Sequence, residues 1–169
     1  MNNWRERTEL LLGTEKAERL RAAHVLVVGL GGVGAYAAEM IARAGVGRMT
    51  LVDADAVSIS NINRQLVALH STVGRPKAEV LAERLRDIDP EIELTIIQEY
   101  IKDEATDTLL DREPRYDFVV DAIDTLAPKV NLIKGCLDRR IPLVSSMGAG
   151  AKTDPTLLEI KDIGKSHHC

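Results

Sequence analysis

Residues Gly29-Leu-Gly31-Gly32-Val-Gly34 follow directly on a run of four apolar residues, Val25 to Val28. Glycines at this spacing let the backbone turn sharply and come close to a ligand. The helix after them, read as opening at about Gly32, aims its unpaired N–H groups and positive dipole end at whatever sits there. An acid is expected some 20 residues further on, where a carboxylate can bond a ribose hydroxyl; Asp53 fills that place at the end of Met49-Thr-Leu-Val-Asp53. A bare strand-to-helix turn would explain the glycines alone. Strand, glycines, helix, strand and acid in this order make a seat for a nucleotide phosphate.

A second set of residues narrows the nucleotide. The stretch Ser60-Asn61-Ile-Asn63-Arg64-Gln65 is followed by Lys77 at the head of a helix. Arginine presents a planar fork to phosphate oxygens and lysine a compact point charge. Taken singly, Arg64 reads as a surface ion pair and Lys77 as a solvated first-turn residue. Yet a cation at a helix N-terminus opposes the dipole and invites an anionic partner. Two such cations near one phosphate seat suit a triphosphate better than a dinucleotide. Asp121-Ala-Ile-Asp124 then sets two carboxylates past an apolar strand. Asp124 reads as a hard oxygen ligand for Mg²⁺ bridging phosphates, and Asp121 as a loop or helix cap.

Other reactive side chains carry less. His167-His168-Cys169 has metal-ligand types, but adjacent side chains point apart, so it reads as a tail. Cys136 falls inside a helical pattern and reads as a small core filler. Two cysteines make no disulfide framework and fit a reducing compartment, hence a cytoplasmic protein. A formal charge of -4 argues against gripping nucleic acid by bulk electrostatics, and 45% hydrophobic with 28% charged residues is an ordinary globular balance. No apolar run reaches the roughly 20 residues that span a bilayer.

The elements that position these groups alternate. Residues 4–12 and 14–23 read as two short helices, with Thr14 as the N-cap of the second. Strands are expected at 25–28, 48–52, 93–98, 116–121 and 142–145, with a last one at 157–162. Helices are expected from Gly32, over 77–88, 106–111 and 129–140. Residues 53–76 lose their periodicity, which in a compact domain marks a functional stretch. The pattern predicts an α/β fold, a doubly wound, mostly parallel Rossmann-like sheet with helices on both faces. Ligands of such sheets sit at the carboxyl ends of the strands, where Gly29 to Gly34, Asp53, Asp124 and 145–150 all fall. Residues 1–169 are read as one nucleotide-binding domain: N-terminal helices over 1–23, a nucleotide-binding core over 24–150, and the start of a truncated C-terminal part over 151–169.

Five linked motifs carry a family resemblance. Gly29-x-Gly31-Gly32-x-Gly34, Asp53-x-Asp55, Ser60-Asn61-x-Asn63-Arg64-Gln65, Val73-Gly74-x-Pro76-Lys77 and Asp121-x-x-Asp124 resemble the adenylation domain of the ubiquitin-activating-like superfamily. The likeness runs from about Arg7 to Ser146. It implies ATP with Mg²⁺ as cofactors and adenylation of a carboxylate with release of pyrophosphate. It further implies that the glycine turn lies beside the nucleotide and that Asp53 takes the ribose. By the same likeness Asn61, Arg64 and Lys77 hold the phosphates, with Asp55, Ser60 and Asn63 in the same binding motifs, and Asp124 holds or supports Mg²⁺. Arg7 resembles the superfamily's arginine that reaches into a partner subunit's site, which implies a homodimer.

Within the superfamily, Trp4-Arg-Glu-Arg7, Ala122-Ile-Asp124, the run Ser146 to Thr156 and Ile160-x-Asp-Ile resemble the tRNA threonylcarbamoyladenosine dehydratases. That likeness implies activation of the threonylcarbamoyl carboxylate of an anticodon-loop adenosine. Ring closure then expels AMP. It also implies a chain continuing past 169, which holds the tRNA contacts, and leaves room for a sulfur or redox relay partner. The alternative is an activator of a ubiquitin-like or sulfur-carrier protein. Those enzymes usually carry a Cys-x-x-Cys pair soon after the fifth strand and an Asp-Asn pair, whereas 148–168 lacks the first and the second is Asp124-Thr125 here. A nicotinamide oxidoreductase or a non-catalytic nucleotide module is the third reading, and neither needs Arg64, Lys77 and Asp124.

Overall fold

The computed structural model describes residues 3–148 and 150–166. The tail histidines and Cys169 lie outside the described residues, so the reading of that tail is not addressed.

Five strands, β1 (His24–Val28), β2 (Arg48–Val52), β3 (Glu93–Ile97), β4 (Phe118–Asp121) and β5 (Leu143–Ser145), form one sheet in the order β3-β2-β1-β4-β5. All four pairings are parallel. The chain starts in the middle, winds outward one way, then crosses over and winds out the other way. The order therefore reverses between β1 and β4. β1 is buried along its whole length, because helices cover both of its faces.

The two faces have separate cores. Val25, Val27, Met49 and Leu51 point to one side and pack with α3 (Gly34–Arg43) and α4 (Lys77–Ile88). Leu26, Val28, Val52 and Val119 point to the other and pack with α5 (Glu104–Leu110) and α6 (Leu126–Asp138). α3 meets the sheet through Gly34, Ala35, Ala38 and Ala42, a small-residue face at helical spacing that lets the backbones approach. α1 (Glu6–Leu12) and α2 (Thr14–Ala22) pack on each other at the N-terminus.

Four expectations need correction. Thr14 does not cap α2; Gly13 is the N-cap and no side chain bonds there. α3 starts at Gly34, not Gly32, because Gly31 to Val33 are spent on the turn. α6 starts at Leu126, three residues early, since Pro128 falls in the first turn where its missing N–H would be unpaired anyway. No strand forms over 157–162. Asp154 and Asp162 instead accept backbone N–H bonds from Thr156 and Gly164 and cap the 3-10 turns Pro155–Leu157 and Ile163–Lys165.

Candidate nucleotide-binding site

Register decides what meets at the carboxyl edge. Val28 is level with Val52 and with Asp121, and Asp121 is level with Ser145. The residues that follow each strand, Gly29, Asp53, Ala122 and Ser146, therefore leave the sheet side by side. This is the switch point of the topology, where open α/β sheets bind ligands.

The glycine turn is compact for steric reasons. A Cβ on Gly34 would sit 1.8 Å from the Gly29 carbonyl oxygen, and one on Gly29, whose φ is +87°, would sit 2.6 Å from the Ala122 oxygen. Gly31 has no such constraint: the nearest atom to a Cβ there is Gln65 Nε2 at 3.6 Å. Gly29 and Gly34 thus hold the turn together, while Gly31 leaves its surface open towards a cavity. Gly32 faces Arg64, whose Cγ would lie 3.7 Å from a Cβ at that position.

Asp53 ties this turn to β2. Its Oδ2 accepts the Leu30 N–H at 2.6 Å and its Oδ1 accepts the Asp55 N–H at 2.8 Å. Partial burial raises the Asp53 pKa above the ordinary carboxylate value, opposed by those two N–H groups and by Lys77. Each carboxylate oxygen keeps a second lone pair, so Asp53 can still accept from ribose hydroxyls.

Lys77 is buried, and its ammonium reaches Asp55 Oδ2 at 2.7 Å. The segment from Asp55 to Lys77 is closed by the Lys77 N–H on the Asp55 carbonyl at 3.0 Å and by a bridge between Ala56 and Pro76. Within it, the Asn61 side-chain oxygen accepts the Ser58 N–H at 3.0 Å and is committed to a 3-10 turn, Ile59–Asn61. Ser60 Oγ lies 3.1 Å from Ser58 Oγ. Arg64 is exposed and spends Nη1 on the Ser60 carbonyl and the Asn63 Oδ1, at 3.0 and 2.9 Å. Its aliphatic stem lies against Gly32 of the glycine turn.

A cavity of about 120 Å³ lies between these elements, lined by Gly29, Gly31, Asp53, Asp55, Lys77 and Asp124, among others. That enclosed volume is below the roughly 300 Å³ usual for a ligand pocket, so a nucleotide would extend across its open side. Gln65 and Tyr100 also line it, and sequence reasoning assigned neither. Gln65 is 9% exposed, yet its Oε1 has no hydrogen-bond partner among the described residues. A buried polar atom left unpaired costs about 1–3 kcal/mol, so a ligand that bonds it is favoured. The one signal for Gln65 was its place directly after Arg64. A larger groove of about 510 Å³ surrounds His24 at the amino end of the strands, away from every one of these groups.

Asp124 is exposed on the cavity wall and makes no hydrogen bond or ion pair among the described residues. Among those residues no cluster of three acidic, His or Cys side chains exists that would hold a metal without help. Mg²⁺, which keeps several waters and takes one or two carboxylates plus substrate phosphates, fits such a single free carboxylate. Asp121 behaves differently from Asp124. It is fully buried and bonds Ile123 N–H, Lys129 and Ser145. The expected loop cap is its bond to the Ile123 N–H, and the buried ion pair with Lys129 is a partner the sequence does not announce.

Arg7 is not brought to this cavity. It lies in α1, just after Arg5, whose side chain packs against Gly45 ahead of β2 at the opposite edge of the sheet.

Comparison with known proteins gives this geometry relatives. The profile of the ThiF family matches residues 5–169. The tRNA threonylcarbamoyladenosine dehydratase of Bacillus subtilis is 50% identical over 161 residues, which cover 95% of this chain and 63% of that protein. Crystal structures of the Escherichia coli enzyme TcdA, one in complex with ATP and one with AMP, superpose with a TM-score of 0.92 at 41% identity. They cover 98% of this chain and 69% of the solved chain. The molybdopterin-synthase adenylyltransferase of Salmonella typhimurium is 35% identical over 92% of this chain and 61% of its own length. The chain thus spans about 63% of the length of the first of these relatives.

Proposed function

The chain belongs to the ThiF family, and from that premise we propose that it uses ATP to adenylate the threonylcarbamoyl carboxylate of a modified adenosine in tRNA, which then cyclises with net loss of water. One observation carries the reading. The glycine turn, Asp53, Lys77, the unpaired Gln65 amide and the free Asp124 carboxylate converge on one cavity at the switch point, in a chain similar to an enzyme solved with ATP.

Attack of a carboxylate on the α-phosphate brings anion to anion, so the site must position charge and N–H dipoles in advance. In this reading Lys77 and Arg64 supply the cations, and Asp53 accepts from the ribose. Mg²⁺ held by Asp124 and phosphate oxygens would offset charge on the departing pyrophosphate. Asn61, Asn63, Ser60 and Asp55 shape the loop that carries these cations. No covalent nucleophile is required. The new bond joins a carboxylate oxygen to the α-phosphorus, and ring closure at the carbonyl carbon returns that oxygen with AMP.

Arg7 stands at the far edge of its own sheet, so it serves a nucleotide only across a homodimer. We read the protein as such a dimer in the cytoplasm, with residues 24–150 as the nucleotide-binding core and the tRNA contacts outside that core. A sulfur or redox relay protein is a further partner of this reading. Among the described residues, no helix is long and apolar enough to cross a membrane.

The test is ATP-dependent pyrophosphate release with threonylcarbamoyladenosine-bearing tRNA in one reaction and small carrier proteins in another. Mass spectrometry of the digested tRNA follows. Loss of one water per modified nucleoside, with AMP, supports the dehydratase. Turnover only with a carrier protein moves the chain to the adenylyltransferases.

A further inference from the structure

Asp121 and Lys129 form an ion pair of 2.6 Å between side chains that are 0% and 6% exposed. Burying two charges costs desolvation that a well-packed apolar pair would avoid, so stability alone does not account for it. Its placement does. Asp121 ends β4 and Lys129 lies near the start of α6, and between them Ala122, Ile123, Asp124, Thr125 and Pro128 line the cavity. The ends of that segment are fixed twice more. Asp121 Oδ1 accepts the Ile123 N–H at 3.0 Å, and the Lys129 N–H donates to the Thr125 carbonyl at 3.3 Å. Among the described residues Asp124 makes no hydrogen bond or ion pair, so its position is set by these flanks and by the Ala122 N–H on the Val28 carbonyl at 2.9 Å.

Ser145 joins the pair from β5. Its hydroxyl donates to Asp121 Oδ2 at 2.6 Å, and accepts from Lys129 Nζ at 3.2 Å and from the Met147 N–H at 3.3 Å. Met147 has a φ of +52°, a strained setting for a side chain other than glycine, and this hydrogen bond helps to hold it.

We propose that the Asp121–Lys129–Ser145 group is a clasp that positions Asp124 for the nucleotide, with Asp121 and Lys129 as positioning residues that never touch it. The proposal rests on the ATP reading above. It assigns the buried pair a role that charge or exposure at the cavity would not reveal.

The test compares the parent chain with Lys129→Arg, with the double variant Asp121→Asn/Lys129→Met, and with each of these carrying Asp124→Asn. The double variant removes both charges together, so no ion is left buried alone. Hydrogen exchange reads the segment directly. The Ile123 and Lys129 amides should exchange about tenfold or more faster in the double variant, with β1 unchanged and unfolding still cooperative. ATP affinity, measured with and without Mg²⁺, reads the consequence. The Mg²⁺-dependent gain should vanish in the double variant, persist in Lys129→Arg, and be lowered no further when Asp124→Asn is added. Additive losses would mean that the clasp does not act through Asp124 and would overturn the proposal. Unchanged exchange at the Ile123 and Lys129 amides would overturn it too. Failure of the parent chain to bind ATP at all would overturn the ATP reading and this role of Asp124 with it, while the exchange result separately decides whether the pair holds the segment.

Discussion

The Lys77 ammonium lies 2.7 Å from the Asp55 carboxylate, with the lysine side chain 6% exposed and the aspartate 60% exposed. The cation assigned to the phosphates is therefore held in place from the solvent side before any ligand arrives. Asp55 uses one of three ammonium protons, and the others remain for phosphate oxygens. Lys77→Ala should weaken ATP binding about 10- to 100-fold, the range for losing a hydrogen bond to a charged group. Lys77→Arg should not restore it, because a planar fork does not occupy the slot of a point charge. Isothermal titration decides, and an unchanged Kd in either variant would contradict the assignment.

Gly34 and Gly31 separate folding from binding within one turn. Gly34→Ala puts a methyl group 1.8 Å from a backbone oxygen that cannot give way. It should cost about 1–3 kcal/mol or more, read as a lower urea midpoint. Gly31→Ala meets nothing closer than 3.6 Å. Its midpoint should stay near that of the parent while ATP affinity falls, since the methyl group enters the space the ligand needs. Equal destabilisation by both substitutions would refute the division of labour.

His24 gives the fold a pH dependence of known sign. Its Nδ1 lies 3.0 Å from the Pro114 carbonyl, which only accepts, so the neutral ring carries its proton there and Nε2 accepts from the Thr50 hydroxyl at 2.9 Å. Burial pushes the imidazole below its ordinary value of 6.5. Between that lowered value and 6.5 the unfolded chain binds more protons than the folded one. The stability gained from a neutral His24 is thus complete above 6.5 and is lost as pH falls towards the folded value. Urea midpoints of the parent and of His24→Gln should converge as pH is lowered from about 7 to about 5.5. A gap that widens on acidification would show the opposite sign.

Cys136 is fully buried, and burial raises its thiol to about 11. The thiolate is the reactive form, so native protein at neutral pH should resist alkylation at this residue. Peptide mapping after iodoacetamide treatment should find Cys136 modified only as urea unfolds the chain. Stoichiometric modification of the folded protein would show that the helix pair opens locally.

How far these features could be read in the sequence follows from their range. The glycine turn, the five sheet strands and α4 announce themselves within a few residues, through uninterrupted apolar runs or a 3.6-residue period. The doubly wound parallel sheet follows from strand–helix alternation and the handedness of its crossovers, while its particular order, β3-β2-β1-β4-β5, is one of several these rules allow. Residues 157–162 misled because Leu157, Leu158 and Ile160 resemble a strand, whereas a strand needs a neighbour and none of the described strands pairs with them. Lys129 was hidden for a similar reason. Nothing local marks a lysine at the start of a helix as the buried partner of an aspartate eight residues earlier. Gln65 was visible as a motif position, but the orphaned oxygen that gives it meaning exists only once the turn has closed over it.

The most direct measurement of the central claim is to run the reaction on threonylcarbamoyladenosine-bearing tRNA in water enriched in oxygen-18, and to weigh AMP, pyrophosphate and the nucleoside. Adenylation of the carboxylate predicts unlabelled AMP and unlabelled pyrophosphate, with the nucleoside lighter by one water, because the oxygen that leaves on AMP came from the substrate. Solvent label in either AMP or pyrophosphate, with the nucleoside mass unchanged, would mean that the site hydrolyses ATP and activates no carboxylate.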